Sequence, residues 1–292
     1  MKHQFWIDRP RQREALRRSL TGASEPKILA LRAGPGMGKS WLLRQFADDA
    51  LQLGGRVSLL DFSDGRAYDT LALVRHMRDA LGAPGFDALT LTINEVTAPR
   101  LTANLRARPR ASGQSLLTGA SHSGVKDNLF VVQSDDPCLL PAIDDRVTRA
   151  FFACLEDLAL QAPVLLLFDS YEHASLDNER WLSGVADRWI RQELLRRIRD
   201  GRLRNTVVVL AGRLLPPFDA SWTSALRTLS LEAFSPAEAA YYLGACRGAE
   251  RLSDAEAQAI YALTRGRPDL VRLIGDALER ADNSSDQELP AR

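Results

Sequence analysis

Lysine is scarce in this 292-residue chain: four stand among 38 basic residues, and the remaining 34 are arginine. Cysteine is scarcer still, with Cys138, Cys154 and Cys246 far apart in sequence. That spacing offers no disulfide framework and no paired metal-ligand motif, and it fits a reducing cytoplasm. No apolar run approaches the roughly 18–20 residues that cross a bilayer, which excludes a membrane-spanning helix. The opening residues, Met1-Lys2-His3-Gln4-Phe5-Trp6, lack the apolar core of a secretory signal. Net charge is lacking too: 38 basic side chains oppose 37 acidic ones, so a uniformly basic nucleic-acid binder is not indicated. What is present is 45% hydrophobic and 26% charged residues. This is the balance of a globular protein, long enough for one large domain or two modest ones.

Phe5-Trp6-Ile7 reads as a short first strand, and residues 11–20 as an arginine-rich helix with Ala15, Leu16 and Leu20 on one face. Apolar runs at 27–32, 57–62, 164–168 and 206–210 read as buried strands, with a shorter one at 228–231. Helical spacing appears at 39–53, at 69–81 with Asp69 as its cap, at 143–160 and at 181–199. Strands alternating with helices predict an α/β fold, a parallel sheet flanked by helices. Residues 84–142 break the rhythm. They carry Gly, Pro, Ser and Thr throughout, and read as an insertion with strands at 89–93 and 128–132 and a mobile stretch at 111–124. From Ser235 only helical patterns remain, at 236–243, 253–264 and 268–280. The predicted organisation is a sheet-bearing domain over 1–234, a small C-terminal helical lid subdomain over 235–280 and a flexible tail over 281–292.

Between the first apolar run and the helix that follows it lies Ala33-Gly34-Pro35-Gly36-Met37-Gly38-Lys39-Ser40. This fits the Walker A phosphate-loop pattern, with Ala33 in place of the first glycine. Glycines let the backbone wrap closely and aim its N–H groups at phosphate oxygens. The next helix presents its positive end to the same oxygens. Lys39 supplies a point charge to the β and γ phosphates, and the Ser40 hydroxyl suits Mg²⁺. With 19 glycines and four lysines, a Gly-Lys pair arises by chance about 0.26 times. Adding the flanking requirements lowers that to roughly 0.01.

Val164-Leu165-Leu166-Leu167-Phe168-Asp169 ends an apolar strand in a carboxylate, the Walker B arrangement, in which Asp169 holds Mg²⁺ beside Ser40. Glu172 follows three residues later and can polarise an attacking water. After the strand at 206–210 comes Ala211-Gly212-Arg213, and an arginine at that edge of a central strand sits where open α/β sheets bind ligands. Arg213 can there sense a γ-phosphate. Gly266-Arg267-Pro268 opens the last helix with proline in the first turn.

Taken in order, these pieces resemble the STAND class of P-loop NTPases, a branch near AAA+ that includes NACHT and NB-ARC modules. Phe5-Trp6-Ile7-Asp8-Arg9-Pro10-Arg11-Gln12 is similar to the family's N-terminal adenine-side motif, with Asp8 where that motif has Gly and Gln12 where it has an acid. Asp169 and Glu172 resemble its spaced acids, Arg213 its sensor 1 arginine, and Gly266-Arg267-Pro268 its lid motif. The resemblance implies that ATP or ADP, with Mg²⁺, is held by Gly34, Pro35, Gly36, Met37, Gly38, Lys39, Ser40 and Trp41. It places Arg9 and Pro268 on the adenine side, makes Asp169, Glu172 and Arg213 the catalytic set, and makes Ser40 and Asp169 the metal ligands. It implies a switch with slow hydrolysis, ADP-bound when closed, and opened by ATP toward a protein partner or self-association. The alternative is an AAA+-like ATPase of initiator or loader type acting on DNA or a protein. Residues 188–204 hold seven arginines against Glu193 and Asp200. In so arginine-rich a chain this reads first as a solvated helix face, with nucleic-acid binding as the lesser reading.

Overall fold

The computed structural model describes residues 9–22, 24–106, 139–177, 180–246 and 252–285. The first strand expected at Phe5-Trp6-Ile7, the strand at 128–132 and the stretch 111–124 lie outside the described residues. The chain divides into two compact units, Met1–Arg66 with Ala162–Arg292, and Ala67–Gln161.

The first unit is an α/β layer structure built on a five-stranded sheet flanked by helices. Its strands are β1 (Ile28–Arg32), β2 (Arg56–Asp61), β3 (Val164–Asp169), β4 (Thr206–Gly212) and β5 (Leu226–Ser230), in spatial order β2-β3-β4-β1-β5. Every pairing is parallel. β3 and β4 are buried along their whole length, which is why they read as unbroken apolar runs rather than alternating ones. One sheet face offers Leu29 and Leu31, Leu165 and Leu167, and Val207, Val209 and Ala211. Against these pack Leu16 and Leu20 of α1 (Pro10–Thr21) and Leu42, Leu43 and Phe46 of α2 (Lys39–Gln52). Each such side chain contributes about 1.5–3 kcal/mol on leaving water. Because all strands run the same way, their C-terminal ends share one edge. The strand order puts β4 between β1 and β3 there.

Between β3 and β4 lies α6 (Val185–Trp189), continued by a π-helical segment (Ile190–Leu195) and α7 (Arg196–Arg199). The helix expected from residue 181 begins four residues later. Before it, Ser175 and Ser183 form an antiparallel bridge, and Leu176 N–H donates to the Leu182 carbonyl at 2.7 Å. After β5 come α8 (Pro236–Tyr241), a second π-helical segment (Tyr242–Cys246), α9 (Asp254–Thr264) and α10 (Pro268–Ser285). Ser235 with Glu238, and Ser253 with Glu256, form capping boxes that fix where α8 and α9 start. Phe234, Ala239, Tyr242, Leu243 and Val271 form a small apolar cluster of their own. α10 runs to Ser285, so the first five residues expected as a flexible tail are helical.

The described residues of the second unit are helical: α3 (Thr70–Leu81), α4 (Asp87–Arg106) and α5 (Leu139–Gln161). Asp69 caps α3, accepting from Ala72 N–H at 2.8 Å. The strand expected at 89–93 is part of α4. Its apolar residues satisfy either period, and burial decides: Leu89 and Ile93, one turn apart, are buried, while Leu91 is exposed.

Candidate functional site

The loop between β1 and α2 has glycine where the backbone needs it. Gly36 (φ 75°) and Gly38 (φ 87°) are left-handed, a region that side chains other than glycine seldom adopt. Gly38 is also the residue from which α2 starts, so the loop ends on the N–H groups of a helix. Gly34 and Pro35 are exposed, Met37 is half-buried against the core, and Trp41 is half-buried in the first turn of α2. Lys39 Nζ folds back over the loop, donating to the Ala33 and Gly34 carbonyls at 2.9 Å each. Burial lowers the Lys39 pKa, and Glu172 and Asp169 raise it back in part, while Arg213 adds to the lowering. Lys39 thus lies within the fields of Glu172, Asp169 and Arg213, though each follows it by 130 positions or more in sequence.

Asp169 ends β3 and is buried. Burial raises its pKa, and the neighbouring Asp61 carboxylate raises it further. Hydrogen bonds from Ser40 and the Ser170 amide (2.8 Å), together with Lys39, oppose that rise. Asp61 stands opposite Asp169 at the end of β2. Two carboxylates side by side, one buried, with a hydroxyl bonded to it from the first turn of α2, form a set of hard oxygen donors. That set suits Mg²⁺, which takes one or two carboxylates plus phosphate oxygens. Among the described residues no cluster of three or more His, Cys, Asp or Glu could hold a metal without such help. Ser170 is left-handed (φ 51°), turning the chain sharply into the 3₁₀ segment Tyr171–Ala174 that carries Glu172.

Glu172 and Arg213 are paired. Arg213 Nε donates to Oε1 at 2.7 Å, and the Arg213 backbone N–H donates to Oε2 at 3.0 Å. Burial pushes the Glu172 pKa up, but these bonds outweigh it and hold the carboxyl below its ordinary value. Gly212 permits this approach, since a Cβ there would meet Glu172 Oε2 at 2.7 Å. In this conformation the acid and the arginine satisfy each other.

The start of α10 closes the other side. Asp269 N–H donates to the Gly36 carbonyl at 3.1 Å, and its carboxylate occupies the space a Cβ on Gly36 would need. That carboxylate is clasped by Arg267 at 2.6 and 3.2 Å and accepts from Leu270 N–H at 2.9 Å. Pro268, next to it, is buried. Gly266 (φ 68°) passes under Phe234, whose N–H donates to the Gly266 carbonyl at 2.8 Å; any side chain at 266 would strike the Phe234 carbonyl. Arg9 completes the rim, its guanidinium 4.9 Å from the centre of the Phe234 ring and donating to the Glu232 carbonyl at 2.9 Å.

The structure therefore brings Lys39, Ser40, Asp169, Glu172 and Arg213 to one sheet edge. Pro268 adjoins the β1–α2 loop through Asp269, and Arg9 stands on Phe234 and the Glu232 carbonyl. Two residues at the edge escape sequence reasoning. Asp61 ends an apolar strand just as Asp169 does, a signal that was available. Asp269 follows Gly-Arg-Pro directly, but its place on Gly36 depends on how α10 docks.

No family model and no curated protein matches the sequence. Solved structures similar to this chain include a Signal Transduction ATPase with Numerous Domains from Pyrococcus horikoshii that carries a tetratricopeptide repeat sensor. The likeness has a TM-score of 0.47 at 11% identity, over 94% of this chain and 30% of that one. They also include Drosophila ORC bound to DNA, with a TM-score of 0.39 at 16% identity, over 91% of this chain and 52% of that one. The chain thus spans less than a third of the first of these structures and about half of the second.

Proposed function

We propose that this chain binds ATP and ADP with Mg²⁺ and acts as a nucleotide-dependent switch of the STAND type, with slow hydrolysis. The observation that carries the reading is the convergence of a glycine loop at a helix N-terminus, the lysine that follows it, and a buried strand-end carboxylate bonded to the adjoining serine. In this reading the loop amides and Lys39 take the phosphates, and Ser40 and Asp169 take the metal, which when bound neutralises phosphate charge. Residues 235–280 are the lid, resting on the loop through Asp269 and, through Gly266, on Phe234, which Arg9 covers. Slow turnover is supported by the Glu172–Arg213 pair, because an acid held by an arginine is not free to polarise water. For nucleotide to act as a switch it must favour one lid position over the other, with the open form engaging a protein partner or another copy.

The test is thermal unfolding with and without Mg·ATP. With nucleotide about a thousandfold above Kd, binding stabilises the fold by about 4 kcal/mol. The wild type is expected to shift upward and Lys39→Ala to show no shift. An unshifted wild type overturns the assignment. Partner-free hydrolysis at many turnovers per second would instead favour a motor-like AAA+ ATPase.

A further inference from the structure

The arginine run between β3 and β4 is not the evenly solvated helix face that its sequence suggests. Arg188, Arg191, Gln192, Arg196 and Arg199 line one open groove of about 330 Å³, with Trp222 at its end. The four arginines recur at intervals of three to five residues, one or so per helical turn, along α6, the π-helical segment and α7. Two of the four arginines are set in place. Arg191 donates to the Pro217 carbonyl at 3.2 Å, lies 5.7 Å from the centre of the Phe218 ring and stands 3.8 Å from the buried Asp187 carboxylate. Its Nε is nonetheless buried without a hydrogen-bond partner among the described residues. Arg199 lies 4.7 Å from the centre of the Trp222 ring and pairs with Asp200 at 3.1 Å. The other two, Arg188 and Arg196, are exposed and have no carboxylate partner among the described residues. Elsewhere in the run Arg197 is matched by Glu193 at 2.6 Å, whereas Arg188 and Arg196 leave two unmatched charges in the groove.

We propose that this groove binds the sugar–phosphate backbone of a nucleic acid. From 188 to 199 a helix rises about 16 Å at roughly 1.5 Å per residue. Phosphates of one strand advance about 3.4 Å each along a duplex, so the groove runs beside about five of them. Guanidinium forks match phosphate oxygens in a bidentate way that lysine cannot. No base-reading group is needed, because Trp222 is buried beneath Arg199 rather than offered for stacking. The contact is therefore to backbone and independent of sequence. The proposal goes beyond the nucleotide reading and stands without it, since the groove contains none of the residues placed at the phosphate loop.

The test is fluorescence anisotropy with labelled single-stranded and duplex oligonucleotides, titrated across salt. Four arginine–phosphate contacts give a slope of log K against log salt of about −3.6 for duplex and about −2.8 for a single strand. The double variant Arg188→Ala/Arg196→Ala, both exposed, should halve that slope and weaken binding at least tenfold, with unchanged melting temperature. Binding to either form, or to both, with these changes supports the proposal and says which form fits. No binding at 50 mM salt, a double variant that binds like wild type, or equal competition by polyglutamate at matched charge overturns it. The last result would assign the groove to an acidic protein segment.

Discussion

Replacing Asp187 with alanine probes the joint between the Glu172 segment and the helix behind it. The Asp187 side chain is fully buried. It accepts from Tyr171 Oη at 3.0 Å, Trp181 Nε1 at 3.1 Å and Ser183 Oγ. Tyr171, also fully buried, stacks on Trp181 with ring centres 5.6 Å apart and planes within 4°. Burial, and next the Asp187 charge, push the Tyr171 hydroxyl well above its usual pKa, so it remains a donor throughout the working range. In Asp187→Ala, Trp181 and Ser183 are partly exposed and can turn to water, but Tyr171 cannot. Its orphaned hydroxyl costs about 1–3 kcal/mol. Arg191, 3.8 Å from the Asp187 carboxylate, also loses its ion partner, and stranding a buried charge typically costs about 3–5 kcal/mol. Chemical denaturation should therefore show a loss of about 3–4 kcal/mol. Tyr171→Phe removes the stranded donor, so in the alanine background it should cost at least 1 kcal/mol less than in the wild type. A single-variant loss below about 1 kcal/mol, or strict additivity of the two changes, refutes the reasoning. Because Tyr171 directly precedes Glu172, Asp187→Ala should also depress ATP turnover more than ATP binding.

Two further outcomes follow from the site. Asp269→Asn removes a half-buried negative charge from beside Gly36; at about 1 kcal/mol for a solvent-screened pair, ATP should bind about three- to tenfold more tightly, with the gain shrinking at high salt. Titration calorimetry showing unchanged or weaker binding would remove Asp269 as an obstacle to phosphate. For Glu172, whose folded pKa is lowered, the stabilisation by Arg213 is complete above the unfolded pKa of about 4.3 and is lost as pH falls through the folded value. The stability gap between wild type and Glu172→Gln should be constant above pH 5 and narrow below about 4.3; parallel acid-unfolding curves would contradict the pairing.

The strands of the sheet and the glycine turn between β1 and α2 were legible because their signals are local. A strand buried on both faces must be apolar at every position, as β3 and β4 are. A loop that wraps closely on itself must carry glycine, as at 36 and 38. What stayed hidden depends on partners distant in sequence. Leu89 and Ile93 fit a strand or a helix equally until something covers them four apart. Trp181 reads as the start of a helix, yet it is held out of one by Tyr171 and Asp187. Nothing local marks Glu172 and Arg213 as partners; they meet because 41 residues of chain return to the same sheet edge. The groove was masked in a similar way, since seven arginines in a row of sequence do not reveal which of them already have a carboxylate.

The position of β4 has a bearing on biosynthesis. A nascent chain that has emerged as far as Asp169 already contains the glycine loop and the magnesium-binding candidates, but β1 and β3 have nothing to join them. Only when translation passes Gly212 can the wedge be inserted and the two halves become neighbours. Until then two strongly apolar strand edges stand open, a natural place for a ribosome-associated chaperone to act and for premature aggregation to begin.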